Sequence, residues 1–245
     1  MKIALVTGAS RGLGAEIAYA LGVAGWGVAV NYAHDVVNAE KVVRRIEKAQ
    51  GRAAAVRFDI TDDAAVETGV EEISRRLGAV DLLVNNATGP QPTIPIMQQT
   101  WQDHLNQLVF FVKAPTKLLQ TVLPDWRSRK SGRVINIGSE VFDMGNPEFA
   151  HYVAAKGAMI GLTRSWAAEL GRDNITVNLV APGFIPTERH DDVGPQARAE
   201  YTERVLLGRQ GVPSDLSGMI VFLASEQANF ITGQTFAVNG GRTLA

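Results

Sequence analysis

The sequence has no cysteine among its 245 residues, which excludes disulfides, thiol catalysis and cysteine-based metal sites. It also lacks an excess of charge of either sign, with 24 lysines and arginines against 25 acidic residues. Nucleic-acid and membrane-surface binding usually need a clear basic excess, so we expect neither kind of partner. The four histidines do not have the spacing of metal ligands, and no metal site is expected.

Long apolar runs are missing as well. No stretch reaches the roughly 18 apolar residues that a membrane-spanning helix needs. The apolar run at 3–6 is too short for the core of a signal peptide, and no cleavage-site pattern follows it. We therefore expect a cytoplasmic protein with no membrane partner.

Short β-branched runs alternate with longer helical patterns along the chain. Strands are predicted at 3–7, 28–32, 53–58, 82–85, 134–138, 176–180 and 235–238. Helices are predicted at 12–24, 37–50, 62–77, 100–123, 150–171 and 213–224. Several strands are apolar almost throughout, as strands buried on both faces are. The alternation predicts an α/β fold, a doubly wound, seven-stranded parallel sheet flanked by helices in a single domain over 1–245.

One long irregular segment interrupts this alternation at 184–196, and it is rich in Pro, Asp and Gly. Segments of this length in compact domains are often lids over a binding site or disordered. We favour a lid and keep disorder as the alternative.

A glycine-rich loop joins the first predicted strand to the first predicted helix and reads TGASRGLG over 7–14. Glycines allow a tight turn and let a phosphate approach the backbone amides, and the helix amino terminus adds its positive dipole end. The spacing Gly-x3-Gly-x-Gly therefore indicates a dinucleotide pyrophosphate site. The alternative is an ordinary strand-to-helix turn.

The end of the second strand bears on the choice between NAD and NADP. NAD-binding units usually place an acid here to hold the ribose 2′-hydroxyl, but this chain has Tyr32, and the nearest acid, Asp35, comes slightly later. A carboxylate would repel a 2′-phosphate, whereas Arg11 in the glycine loop can match its charge. His34 is a weaker candidate for that contact. The sequence therefore predicts NADP(H).

Further motifs follow the glycine loop in order, and with them the whole chain resembles the classical short-chain dehydrogenase/reductase family: Asn85-Asn86-Ala87, Ser139, Tyr152-x3-Lys156, Pro182-Gly183 and Val238-Asn239-Gly240-Gly241. Within that family the chain is most similar to the β-ketoacyl-acyl-carrier-protein reductases. The resemblance implies a Rossmann-type fold and NADPH-dependent reduction of a carbonyl, above all in a 3-oxoacyl thioester.

The resemblance also implies a cofactor site along the carboxyl edge of the sheet. At the pyrophosphate it has Gly8, Ser10, Arg11, Gly12, Leu13 and Gly14. Around the adenosine it has Tyr32, Asp59, Ile60, Asn85, Asn86 and Ala87. At the nicotinamide end it has Tyr152, Lys156, Pro182, Gly183, Ile185 and Thr187.

The catalytic set predicted from this resemblance is Ser139, Tyr152 and Lys156. Carbonyl reduction needs a proton on oxygen, and tyrosine holds its proton at neutral pH because its ordinary pKa is about 10. A lysine at i+4 lies on the same helix face. Its positive charge is expected to lower the pKa of Tyr152 by about three pH units. Ser139 is expected to bond the substrate oxygen. The alternatives are an exposed i,i+4 pair and a turn cap.

Two positions depart from the family. The resemblance implies a catalytic asparagine on the helix before Ser139, but counting from Trp101 gives Leu108 and counting back from Ser139 gives Phe111. In the family this asparagine shapes a helix kink whose backbone carbonyl holds a water of the proton relay, so the relay is in doubt, although Pro115 is able to distort the helix. Thr88 stands where the family has glycine, and it fits if its φ is negative.

The substrate and the partners are less determined. Five basic residues are candidates for docking an acyl carrier protein, with a solvated basic loop as the alternative: Arg127, Arg129, Lys130, Arg133 and Arg172. Another alcohol or ketone, such as a sugar, a polyol or a xenobiotic, is the second hypothesis, since the fold does not decide the substrate. A non-catalytic NADP-binding protein is the third. The family's quaternary structure predicts a homo-oligomer, a tetramer assembled through helices 100–123 and 150–171.

Overall fold

The computed structural model describes residues 1–244, and all seven strands form one parallel sheet. The strands are β1 (Ile3–Val6), β2 (Gly27–Tyr32), β3 (Arg52–Arg57), β4 (Val80–Asn85), β5 (Gly132–Ile137), β6 (Ile175–Pro182) and β7 (Thr235–Val238). Their order across the sheet is β3-β2-β1-β4-β5-β6-β7. The chain therefore reverses direction across the sheet at β1 and β4, which confirms the doubly wound fold predicted from the sequence.

The central strands are buried on both faces, which explains their nearly continuous apolar sequences. On β1, Ala4 and Val6 belong to one apolar core, whereas Ile3 and Leu5 belong to the core on the opposite face. The alternation follows from the two-residue repeat of a strand.

The helices cover both faces of the sheet. They are α1 (Gly12–Val23), α2 (Val36–Lys48), α3 (Asp63–Arg76), α4 (Trp101–Leu108), α5 (Ala114–Arg129), α6 (Val141–Met144), α7 (Ala150–Leu170), α8 (Pro195–Glu203) and α9 (Pro213–Ala224). The N-cap of α3 lies in the predicted polar cluster, because the Asp62 carboxylate accepts from the amides of Ala64 and Ala65.

Two boundaries differ from the predicted ones. The helix expected at 100–123 is divided by a π-helical turn at Val109–Lys113, and its second half continues through Pro124 to Arg129. The segment 184–196 is not wholly irregular, since it contains a 3₁₀ turn at Glu188–His190 and the start of α8. The 3.6-residue spacing of apolar side chains, from which the helix was predicted, does not show a π turn, because the extra residue shifts the helix face only locally.

A chain of buried hydrogen bonds positions α7 on the sheet. The Asn85 amide donates to the Asn136 side-chain oxygen at 2.8 Å, and the Asn136 amide donates to the Thr163 hydroxyl at 2.9 Å. These bonds join β4, β5 and α7, so the residues of α7 have a fixed register against the end of β5.

None of the helices that the structure describes in residues 1–244 is both long and apolar enough to cross a membrane.

Candidate active site

The glycine-rich loop forms a tight cradle between β1 and α1. Gly8 has φ +61°, and a Cβ placed there would lie 2.8 Å from the Cα of Ala87. A Cβ on Gly14 would lie 2.4 Å from the Gly8 carbonyl oxygen. Only glycine fits these positions, and the amino terminus of α1 opens beside them. This is the form that a phosphate-binding loop requires.

Polar side chains from neighbouring strands hold the cradle in shape. The Thr7 hydroxyl accepts from the backbone amides of Asn86 and Ala87, and the Asn86 amide donates to the Thr7 carbonyl at 2.8 Å. Asn31, which sequence reasoning did not single out, accepts from the Gly8 amide at 3.1 Å and donates to the Phe58 carbonyl. Asn86 and Ala87 therefore lie against the loop, and their contact with the adenosine stays a prediction.

The ends of β2 and β3 form the far wall of the cleft. Tyr32 is buried and pairs in register with Arg57, whose guanidinium donates to the Ala33 carbonyl. Asp35 caps α2 and accepts from Asn38, a bond that lowers the pKa of Asp35. The nearby acid is therefore engaged locally.

The other predicted residues of this end lie close by. Asp59 is exposed and accepts from the amide and hydroxyl of Thr61, while Ile60 is buried. Arg11 is exposed and precedes α1, and its charge is one of the minor influences that lower the pKa of Asp35. Arg11 and Arg57 thus give this end of the cleft a positive character.

The structure brings the three predicted catalytic residues together where β5 ends and α7 begins. The Lys156 ammonium donates to the Ile137 carbonyl at 2.8 Å, which fixes it beneath the end of β5. Its Nζ lies 5.7 Å from the centre of the Tyr152 ring. Ser139 follows β5, and its hydroxyl accepts from the Val141 amide at 3.3 Å. Tyr152 and Lys156 are both buried, so they are not the exposed pair of the alternative reading.

The pKa of Tyr152 differs from the expected one. Burial raises this pKa above its ordinary value, against the smaller lowering effects of the Ser139 hydroxyl, the Arg189 charge and the Gln91 side chain. Burial also lowers the pKa of Lys156 to about 7. The expected decrease in the pKa of Tyr152 is therefore wrong for this structure, because removal from water outweighs the effect of neighbouring charges on a buried phenol.

Phe111, one of the two positions that counting gave for the family's asparagine, lies against Tyr152 and Lys156. Its ring lies 5.6 Å from the Tyr152 ring and its centre is 3.8 Å from the Lys156 Nζ, whereas Leu108 is only packed against this cluster. The π turn at Val109–Lys113 includes Phe111, whose side chain is buried on this face. Pro115 has no amide hydrogen to donate to the Phe111 carbonyl, the acceptor four residues earlier.

The rim beside Tyr152 contains the second departure from the family. Thr88 is not among the residues with a positive φ, so it meets the condition under which threonine fits this position. Its hydroxyl accepts a hydrogen bond from the Gln91 side chain at 2.7 Å. Gly89 follows, and its carbonyl accepts from the Arg189 guanidinium at 3.0 Å. Arg189 therefore crosses from the segment after β6 to the rim, a contact between distant parts of the chain that the sequence did not reveal.

We call residues 184–205 the lid segment. Its first part continues from Pro182 and Gly183 at the end of β6, with Ile185 buried and Thr187 close to Gly12 of the glycine loop. Arg189 is exposed as a residue, but partial burial of its guanidinium lowers the Arg189 pKa. The lid segment thus lies between the glycine loop and the rim beside Tyr152, and the action of 184–196 as a lid stays a prediction.

The basic residues considered for carrier-protein docking do not form a free positive surface. Arg127 pairs with Glu169 at 2.9 Å and Arg129 with Asp81 at 2.7 Å, while Lys130 pairs with Asp173. Arg133 is half-buried, and burial lowers its pKa. Arg172 is exposed. Carboxylates therefore pair with three of the five basic residues, and docking of a carrier protein on them stays a prediction.

Known proteins share this arrangement. Residues 8–243 match the family model described as enoyl-(acyl carrier protein) reductase. The chain is 39% identical over 242 residues to a 3-oxoacyl-[acyl-carrier-protein] reductase of Staphylococcus aureus, an alignment that covers 98% of this chain and 97% of the other. A Serratia marcescens short-chain dehydrogenase/reductase superposes with a TM-score of 0.90 at 32% identity, covering 99% of this chain and 98% of the other.

The chain belongs to the short-chain dehydrogenase/reductase family. A gluconate 5-dehydrogenase of Burkholderia cenocepacia, solved in complex with NADP and tartrate, has the same fold, with a TM-score of 0.92, 32% identity and coverage of 100% of this chain and 96% of the other. The protein is accordingly an oxidoreductase, and the hypothesis of a non-catalytic binding protein is set aside. Ser139, Tyr152 and Lys156 match the family's motifs, whereas neither of the two positions counted for its asparagine, Leu108 and Phe111, is an asparagine.

The low pKa of Lys156 predicts how stability depends on pH. Between pH about 7 and 10.5 the folded protein binds fewer protons at this lysine than the unfolded chain does, so stability falls as the pH is lowered through this window. We expect the cofactor-free wild type to gain stability, relative to Lys156→Met, by a few kcal/mol between pH 7 and 10. Urea unfolding at each pH measures this difference.

Lys41→Met serves as the control because Lys41 is exposed, and this variant should keep the pH dependence of the wild type. Parallel pH curves for wild type and Lys156→Met would show that burial does not disfavour the charge of Lys156.

Proposed function

We propose that the protein reduces the 3-oxo group of an acyl thioester to a hydroxyl group with NADPH. The observation that carries the proposal is the position of Tyr152, a buried phenol between Ser139 and the Lys156 helix face, at the edge of the sheet that also holds the glycine cradle. The similarity to 3-oxoacyl-[acyl-carrier-protein] reductases supports the substrate class.

Each side chain of this set has a distinct task. Tyr152 donates a proton to the carbonyl oxygen, and its raised pKa keeps that proton in place at neutral pH until a substrate accepts it. Ser139 donates a hydrogen bond to the same oxygen and orients it. Lys156 is held by the Ile137 carbonyl one helical turn from Tyr152 and would donate a hydrogen bond to the ribose of a bound cofactor. NADPH, when bound, supplies the hydride.

The cleft fits NADP(H) along its length. The glycine cradle and the amino terminus of α1 would hold the pyrophosphate, since a Cβ at Gly8 or Gly14 would fill the space. Arg11 and Arg57 would face a 2′-phosphate at the ends of β2 and β3. Asp35 does not oppose this, because it caps α2 through Asn38.

Cofactor preference tests this assignment. We expect kcat/KM to be higher with NADPH than with NADH, and Arg11→Ala to lower kcat/KM for NADPH by about tenfold while that for NADH changes little. Arg52→Ala is the matched control, because Arg52 lies at the amino end of β3 and donates to the Arg76 carbonyl. An equal loss with both cofactors, or a preference of the wild type for NADH, contradicts the role given to Arg11.

A ketone that bears a carboxylate is the second candidate substrate, because one observation favours it. The charge of the Arg189 guanidinium is one of the influences that lower the pKa of Tyr152. Within residues 1–244 this guanidinium contacts the Gly89 carbonyl but no carboxylate. An arginine in this position is suited to bind a substrate carboxylate in two hydrogen bonds. The similar gluconate 5-dehydrogenase is named for a carboxylate substrate and was solved with tartrate, which also bears carboxylates.

A substrate panel with NADPH separates these possibilities. We expect acetoacetyl thioesters on coenzyme A or on acyl carrier protein to give the highest kcat/KM, above neutral ketones, keto acids and an enoyl thioester. The enoyl thioester is included because of the description of the family model. A lack of NADPH oxidation with every thioester contradicts the proposed substrate.

Arg189→Gln resolves the second candidate in the same panel. If a carboxylate binds Arg189, this variant should raise KM for keto acids by about tenfold and leave thioesters unchanged. Keto acids that are not substrates, or whose KM does not change, exclude it.

The protein is also proposed to be a cytoplasmic homo-oligomer. Trp101 and Leu105 on α4 are apolar and exposed, within the 100–123 segment through which the resemblance predicts tetramer assembly. Phe142 on α6 lies outside the two predicted assembly segments but is exposed as well. Carrier-protein binding remains a prediction. Three of the basic residues expected to mediate it, Arg127, Arg129 and Lys130, pair with carboxylates of the same chain.

A further inference from the structure

The residue after Ser139 is a buried acid. Glu140 is 3% exposed, and its backbone amide donates to the Pro182 carbonyl at 3.1 Å. This bond ties the turn that carries Ser139 to the end of β6, where the lid segment begins. None of the polar contacts of Glu140 is with the reacting groups Tyr152 or Lys156.

A single hydroxyl connects this acid to the lid segment. The Tyr201 hydroxyl, on α8, donates to Glu140 Oε1 at 2.6 Å and accepts from the Phe184 amide at 2.8 Å. The Phe184 ring packs edge-on against Tyr201, with centres 5.4 Å apart, and against His190 at 5.0 Å. The first residue of the lid segment, its 3₁₀ turn and its helix are therefore joined at Glu140.

The local packing is built around this contact. A Cβ on Gly183 would lie 2.7 Å from the Tyr201 hydroxyl, so glycine is needed for the tyrosine to reach Glu140. The second carboxyl oxygen, Oε2, has no hydrogen-bond donor within residues 1–244 that meets normal geometry. Burial raises the pKa of Glu140, against the smaller lowering effects of the Tyr201 hydroxyl, the Asn239 side chain, the Arg242 charge and the Phe184 amide. An acid in such surroundings is costly, and an apolar side chain would avoid the cost.

We propose that Glu140 is a positioning residue that holds the lid segment over the active site through Tyr201. The lid segment carries Ile185, Thr187 and Arg189, so its closed position places these residues beside the cleft. Glu140 thereby links the strand end that orients Ser139 to the cover of the cofactor and substrate. Loss of the Tyr201 bond leaves the chemistry of Tyr152 intact but makes closure less favourable.

Three variants test the proposal. Tyr201→Phe removes the donor, Glu140→Leu removes the acceptor, and Glu140→Gln keeps an acceptor oxygen of the same reach. We expect the first two to raise KM for NADPH and for the carbonyl substrate by about three- to tenfold with a smaller change in kcat. Glu140→Gln should stay near wild type. The double variant Glu140→Leu, Tyr201→Phe should be no worse than either single variant, since both remove one interaction.

Hydrogen exchange of backbone amides provides a readout without substrate. Peptides from 184–205 should exchange faster in Tyr201→Phe and Glu140→Leu, but not in Glu140→Gln or in the control Tyr19→Phe, whose ring lies under Arg45 on the surface. This measurement rests on the fold alone, so a wrong substrate proposal does not affect it. Unchanged exchange and KM in Tyr201→Phe, or a loss in Glu140→Gln equal to that in Glu140→Leu, would overturn the proposal.

Discussion

A lysine ammonium is costly to place in a protein interior, because removal from water disfavours its charge by several kcal/mol. In this protein Lys156 is nonetheless buried at the centre of the catalytic end, with the Ile137 carbonyl at 2.8 Å and the face of Phe111 at 3.8 Å. The arrangement requires α7 to lie at one register on the sheet, which the Asn85–Asn136–Thr163 bonds provide. Burial of this cation also determines the position of Tyr152, one helical turn earlier.

The two halves of the cleft meet different physical demands. The glycine loop must admit phosphates to the backbone, so it excludes side chains at Gly8 and Gly14. The catalytic half must exclude water around a phenol and an ammonium, so it encloses them with Phe111, Phe149 and the lid segment. Arg189 and Tyr201 connect the lid segment to the catalytic half, through Gly89 and Glu140 respectively, and Thr187 lies close to Gly12 of the glycine loop.

Much of this was predictable because it depends on local sequence. Strand burial on both faces, the glycine spacing and the i,i+4 placement of Tyr152 and Lys156 are all properties of short segments, and the structure agrees with them. Contacts between distant segments were not predictable. The pairing of Arg129 with Asp81, the contact of Arg189 with Gly89 and the π turn that presents Phe111 depend on tertiary packing. The raised pKa of Tyr152 likewise follows from burial, which spacing does not reveal.

We propose that Tyr152 supplies the proton while other residues hold the cofactor. Single-turnover reduction of an acetoacetyl thioester, followed by NADPH absorbance in wild type and Tyr152→Phe, tests it most directly. We expect the single-turnover rate of NADPH oxidation to be lower by about 10²- to 10⁴-fold in Tyr152→Phe than in the wild type. NADPH affinity, measured by fluorescence titration, should stay within a fewfold of the wild-type value. A variant that transfers hydride at a rate close to that of the wild type would contradict the account.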